Sequence, residues 1–107
     1  MGEMDLDAAL RAIAEPRRRE ILTLIAATEL PAGKIAEHFE VTRSAVSQHL
    51  HVLKDAGMIT ERRDGTRRLY RASEAALGEL RMFLEELWHD SVDRFAREVV
   101  EDPKEAP

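Results

Sequence analysis

A mainly α-helical fold carrying one β-hairpin is what this sequence predicts, on three observations. Apolar residues recur at helical spacing through most of the chain, two short helical segments are joined by a tight turn, and one Asp-Gly turn sits between two short β-type runs. With 107 residues, the chain holds one hydrophobic core, predicted over residues 1–100 and followed by a polar tail at 101–107.

The first helix is marked by Leu6, Ala9, Leu10 and Ile13, with Asp5 as its N-cap. Pro16 ends it and suits the first position of a second helix, in which Ile21, Leu22, Leu24 and Ile25 face inward. "TELP" reads as a short connection to a brief third helix, Pro31 to Phe39, that buries Ile35 and Phe39. Thr42 is then placed to cap a fourth helix over residues 42–55, seated by Val46, Leu50 and Leu53. Gly57 ends it in the left-handed region. The third and fourth helices together make a helix-turn-helix pattern. Residues 58–71 follow as a hairpin around Asp64-Gly65, a register that sets Arg62 opposite Arg67. Ser73 caps a long final helix carrying Leu77, Leu80, Phe83, Leu84, Leu87, Trp88, Val92, Phe95 and Val99. Core packing is expected to take Leu77, Leu80 and Leu84. The remaining stripe is more apolar surface than a small domain covers, which predicts a partner copy.

A net charge of −5 argues against a polyanion partner until its distribution is considered. Pro16 to Arg71 holds 11 basic and 7 acidic residues, whereas the rest of the chain holds 5 and 14. A cationic middle between acidic ends still draws a polyanion to one surface. The absence of cysteine excludes disulfides and thiolate chemistry. No apolar run is long enough for a membrane span, and the acidic start lacks the character of a secretion signal, so a cytoplasmic location without membrane association is expected. There is no phosphate-cradling glycine motif, nucleophile elbow or inward carboxylate pair, so no enzyme activity or cofactor is expected.

On the fourth helix, Arg43, Ser44, Ser47, Gln48 and His51 share the side away from Val46, Leu50 and Leu53. Short or planar hydrogen-bonding side chains can approach base edges, with Gln pairing to adenine and Arg to guanine. A wet helix face is the competing interpretation. The hairpin tips the balance, because Arg62, Arg63, Arg67 and Arg68 surround its glycine tip in a shape suited to phosphates or a narrow minor groove. Taken alone, those arginines fit protection against edge-to-edge association equally well.

The segments "EPRRREILTLI", "KIAEHFEVTRSAVSQHLHVLKDAGMI" and "ERRDGTRRLYRAS" resemble the ArsR/SmtB family of winged helix-turn-helix bacterial transcriptional regulators, over roughly residues 8–80. The resemblance implies that helix 42–55 is the recognition helix and hairpin 58–71 the wing. It implies a homodimeric repressor of a palindromic operator, released by an inducer whose identity the sequence does not give. DNA contacts are implied for Arg43, Ser44, Ser47, Gln48 and His51, for wing residues Arg62, Arg67 and Arg68, and at phosphate for Arg18 among Arg17–Arg19. His49 matches the family's His-Leu pair and is expected to hydrogen-bond inside the helix-turn-helix. The dimer interface is implied for Leu6 and Leu10 of the first helix and Leu87, Trp88, Val92 and Phe95 of the last. Pro31 and Gly33 stand where metal-sensing members have cysteines, and His89 and Asp93, one turn apart, lack a further histidine, so no metal site is expected. A zinc-responsive repressor using His89 and Asp93 is one alternative. A winged-helix module that binds protein is the other.

Overall fold

The computed structural model describes residues 4–101. It contains α1 (Leu6–Ile13), α2 (Pro16–Ala27), α3 (Ala32–Glu37), α4 (Arg43–Asp55), β1 (Ile59–Asp64), β2 (Arg67–Ala72) and α5 (Glu74–Glu101). The predicted tail beyond Glu101 lies outside the described residues. Two compact units are present, one ending at Leu77 and one beginning at Gly78.

Four of the five helices begin with a side-chain cap. Asp5 accepts from the Ala8 N–H at 3.1 Å, Thr42 from Ala45 at 3.0 Å and Ser73 from Ala76 at 3.1 Å, each satisfying an orphan donor. Glu15 accepts from the Arg17 N–H at 2.8 Å, and Pro16 occupies the first helical position of α2. α3 is shorter than predicted, since Pro31 lies outside it as an extended N-cap without a side-chain acceptor.

The core gathers Ile21, Leu22 and Ile25 of α2, Ile35 of α3, Val46, Leu50 and Leu53 of α4, and Met58, Ile59 and Leu69 of the hairpin. α1 turns its small residues inward: Ala9 and Ala12 are fully buried, while Leu6, Leu10 and Ile13 are half-buried. Leu24 and Phe39, expected inside, are also only half-buried. Phe39 lies under the Arg17 guanidinium, 4.9 Å from the ring centroid, a cation–π contact that leaves the ring near the surface.

The hairpin register differs from the expected one. Arg62 faces Leu69, Arg63 faces Arg68 and Asp64 faces Arg67. A type I′ turn on Asp64-Gly65 requires positive φ at both residues, and here only glycines adopt it. The loop is therefore Gly65-Thr66, with Gly65 at φ 66° in the first central position, as a type II′ turn demands. The shift sets Arg63 rather than Arg62 opposite an arginine and adds an Asp64–Arg67 ion pair at 3.0 Å. "TELP" is also more than a connection. Leu30 exchanges two backbone hydrogen bonds with Tyr70, at 3.1 and 2.9 Å, tying the outer edge of β2 to the α2–α3 junction.

α4 ends in a Schellman motif. Gly57, at φ 78°, donates to the Lys54 carbonyl at 2.9 Å, and the Met58 N–H donates to Leu53 at 3.0 Å. In the second unit, α5 leaves Leu84, Leu87, Trp88, Val92, Phe95 and Val99 exposed, with Trp88 at 68% and Phe95 at 67%. Leu84, expected in the core, belongs to this stripe at 50% exposure, whereas Leu80, one turn earlier on the same line, is buried as expected.

Replacing Gly57 with Ala puts a Cβ into a left-handed backbone, and urea denaturation should show a loss of about 1–2 kcal/mol. An unchanged midpoint would mean that α4 does not depend on this termination.

Candidate nucleic-acid interface

Helical geometry divides α4 into a seated and an open side. Val46, Leu50 and Leu53 are buried, and Arg43, Ser44, Ser47, Gln48 and His51 are exposed. His51 is additionally paired with Asp55 one turn on, at 3.2 Å.

The wing stands along one edge of that open side. A cleft of about 320 Å³ between them is lined by Arg43 and Ser47 of α4, Thr66, Arg67, Arg68 and Tyr70 of the wing, and Pro31 and Ala32. A second cleft, of about 270 Å³, lies further along α4 between Ser47, Leu50, His51 and Lys54 on one side and Glu61, Arg68 and Tyr70 on the other. Ser47, Arg68 and Tyr70 line both. Cationic and hydrogen-bonding groups from two elements thus converge on one concave strip, the shape and charge that a nucleic-acid backbone fits. Ser44 and Gln48 lie beyond it on α4, exposed and unobstructed.

Not every predicted residue faces this strip. Arg62 is anchored at the α2–α3 junction: its Nε and Nη2 donate to the Glu29 carboxylate at 2.9 and 2.7 Å. That hydrogen bond, with the Glu29 charge, raises the pKa of Arg62 further. Arg18 is held on the opposite flank of α4, with its Nε donating to the Ala12 carbonyl at 2.6 Å and its Nη1 3.4 Å from His49 Nδ1. The partner of His49 is thus on α2, outside the helix-turn-helix in which its hydrogen bond was expected. Arg67 is within reach of the strip but paired with Asp64, an exposed contact of a kind worth about 0–1 kcal/mol and easily exchanged for phosphate.

Sequence reasoning missed Lys54, Thr66 and Tyr70. Lys54 was legible in principle, since it lies seven residues from Ser47 on the same stripe. Thr66 and Tyr70 depend on which of two hairpin registers forms. Lys54 donates to Glu61 across the α4–wing junction, and this hydrogen bond is the main cause of a lowered Glu61 pKa. Desolvation opposes it, while the Lys54 and Arg68 charges and the Tyr70 hydroxyl add to it.

The other implied positions are surface features. Leu6 and Leu10 lie half-buried on α1, and Leu87, Trp88, Val92 and Phe95 are exposed on α5. His89 and Asp93 are exposed one turn apart, and no group of three or more His, Asp or Glu side chains gathers at metal-binding distance among the described residues. No helix among them is long and apolar enough to cross a membrane.

The folded carboxyl of Glu61 lies below its ordinary value of 4.5, so its contribution to stability is present above the unfolded pKa and lost as pH falls through the folded one. Denaturation measured from about pH 6 down to about pH 3 should therefore show a steeper loss for the wild type than for Glu61→Gln. Parallel curves would mean that the Lys54–Glu61 contact carries no folding free energy.

The family model for the arsR family of bacterial regulatory proteins matches residues 15–61. A helix-turn-helix-type transcriptional regulator of Mycobacterium tuberculosis is 38% identical over 91 residues, covering 85% of each chain. The transcriptional repressor SdpR of Bacillus subtilis is 40% identical over 60 residues, 56% of this chain and 67% of that one. Among solved structures, a homodimeric winged helix-turn-helix DNA-binding domain from Mycobacterium bovis, a possible ArsR-family regulator, is similar with a TM-score of 0.65 at 28% identity, covering 78% of each chain. With α4 as the second helix of the helix-turn-helix and β1–β2 as the wing beside it, the chain belongs to the ArsR family and is a winged helix-turn-helix transcriptional regulator rather than an enzyme.

Proposed function

We propose that this regulator is a homodimeric repressor that binds an imperfect palindromic operator, with α4 in the major groove and the wing along the backbone or in the adjacent minor groove. The observation that carries this reading is the shared strip between α4 and the wing, where Arg43, Ser47, Arg67 and Arg68 line one cleft. In this reading Ser44, Ser47, Gln48 and Arg43 meet base edges, while Arg67 and Arg68 meet phosphates. His51 approaches the backbone at the far end of the helix. Arg62 supports the wing through Glu29 rather than contacting DNA.

The dimer is supported by the exposed stripe of Leu87, Trp88, Val92 and Phe95 on α5, too large an apolar surface to leave in water. The resemblance adds Leu6 and Leu10 of α1, and the homodimeric M. bovis domain gives a precedent. Two-fold symmetry would set the recognition helices roughly 34–36 Å apart, one turn of DNA. The repressor assignment draws on SdpR, which is named as one. Release by a small inducer follows from the family resemblance alone. Pro31 and Gly33 offer no side-chain donor at the family's thiolate position.

On an operator found by selection from random duplexes, Gln48→Ala should relax preference at one base pair by about 1–3 kcal/mol. Arg68→Ala should weaken binding to all duplexes and lower the salt slope by about 0.9. Preserved selectivity in the first, or an unchanged slope in the second, would remove those residues from the contact face. Trp88→Glu should sediment as a monomer and lose the operator. An intact dimer would rule out the α5 stripe as the interface.

A further inference from the structure

The three arginines that open α2 have three separate occupations, and one of them bears on how α4 reads DNA. Arg17 covers Phe39 and pairs with Glu20 at 3.5 Å. Arg19 Nη1 donates to the Ile13 carbonyl at 2.6 Å. Arg18 Nε donates to the Ala12 carbonyl, also at 2.6 Å. Ala12 and Ile13 end α1, so both arginines satisfy carbonyls that a helix end leaves without partners, where a cation is favoured as well. Only Arg18 reaches further, its Nη1 standing 3.4 Å from His49 Nδ1 on α4. For Nδ1 to accept that bond, the imidazole carries its proton on Nε2.

His49 and Lys54 lie on opposite flanks of α4, on either side of the arc formed by Ser44, Ser47, Gln48 and His51. Lys54 is held by Glu61 of the wing and His49 by Arg18. Two grips on opposite flanks define the rotation of a helix about its axis. A rotation of ~20° carries a side-chain atom ~6 Å from the axis through ~2 Å, more than a base-edge hydrogen bond tolerates.

We propose that Arg18 is a positioning residue for base reading: through His49 it sets the roll of α4, and it touches neither base nor phosphate. This rests on the reading that α4 enters the major groove, and it replaces the expectation of a phosphate contact at Arg18. It also makes α1 a participant in DNA selection, because Arg18 ties the last turn of α1 to α4.

The test compares wild type, Arg18→Ala, His49→Leu, the double variant and Arg68→Ala, on a duplex selected from a random pool and on an unrelated duplex of equal length. Binding is measured from ~50 to ~200 mM salt. Arg18→Ala is expected to lose ~10-fold on the selected duplex, to match wild type on the unrelated one, and to keep the wild-type salt slope, whereas Arg68→Ala weakens both duplexes and flattens the slope. His49→Leu keeps an apolar side chain of similar size, and the double variant should bind no more weakly than Arg18→Ala. A slope lowered by ~0.9 in Arg18→Ala would identify a phosphate contact and overturn the proposal. Equal losses on both duplexes, or additive losses in the double variant, would overturn it too. A wild type that selects its duplex while Arg18→Ala matches it in every respect overturns only this proposal. A wild type that selects no duplex removes the reading of α4 and this proposal together.

Discussion

α4 stops at Gly57 because a left-handed residue is needed to turn the chain back on the helix, and glycine adopts that conformation without a Cβ penalty. The turn does two things at once. It satisfies the Lys54 and Leu53 carbonyls, and it drives Met58 into the core, where the side chain is fully buried. The Met58 carbonyl then accepts from the Ser73 N–H at 2.9 Å, which closes the base of the hairpin. Where the wing begins, and along which edge of α4 it stands, follows from that single reversal.

The wing is held at more than its base. Leu30 and Tyr70 exchange backbone hydrogen bonds on its outer edge, Arg62 is fixed to Glu29, and Glu61 receives Lys54 from α4. These contacts remove some positive charge from the surface, but from selected places. Asp64 and Glu29 engage Arg67 and Arg62, while Arg43 and Arg68 form no ion pair among the described residues and both line the central cleft. A chain with net charge −5 can therefore present a cationic strip, since its acidic residues are concentrated outside Pro16–Arg71.

Much of this was legible in the residues. The caps Asp5, Thr42 and Ser73, the stop at Gly57 and the seating of α4 by Val46, Leu50 and Leu53 are local decisions made within one or two turns of helix. The misplaced features are those that depend on which of several local options tertiary contacts select. Asp64-Gly65 and Gly65-Thr66 both offer a two-residue loop, and only the φ signs of the closed hairpin choose between them. The bridge at Leu30 is a single residue long, too short for any periodicity to reveal. Phe39 and Leu84 illustrate the other difficulty: an apolar residue at a helical position is compatible with core, cation–π contact and exposed stripe alike.

By itself, the sequence determined the element order, the starts of α1, α2, α4 and α5, the outward face of α4 and the cationic character of its middle, because each depends on neighbours within a few positions along the chain. Tertiary structure decided which charged side chains are free. Arg18, Arg62, Arg67 and Arg68 look alike in a sequence. Folding gives the first the Ala12 carbonyl and His49, the second Glu29 and the third Asp64, and leaves the fourth lining both clefts beside Ser47. The physical reason is that a guanidinium's role is set by the acceptors that reach it, and for Arg18 and Arg62 those come from other helices and loops, as much as 33 residues away in the case of Glu29.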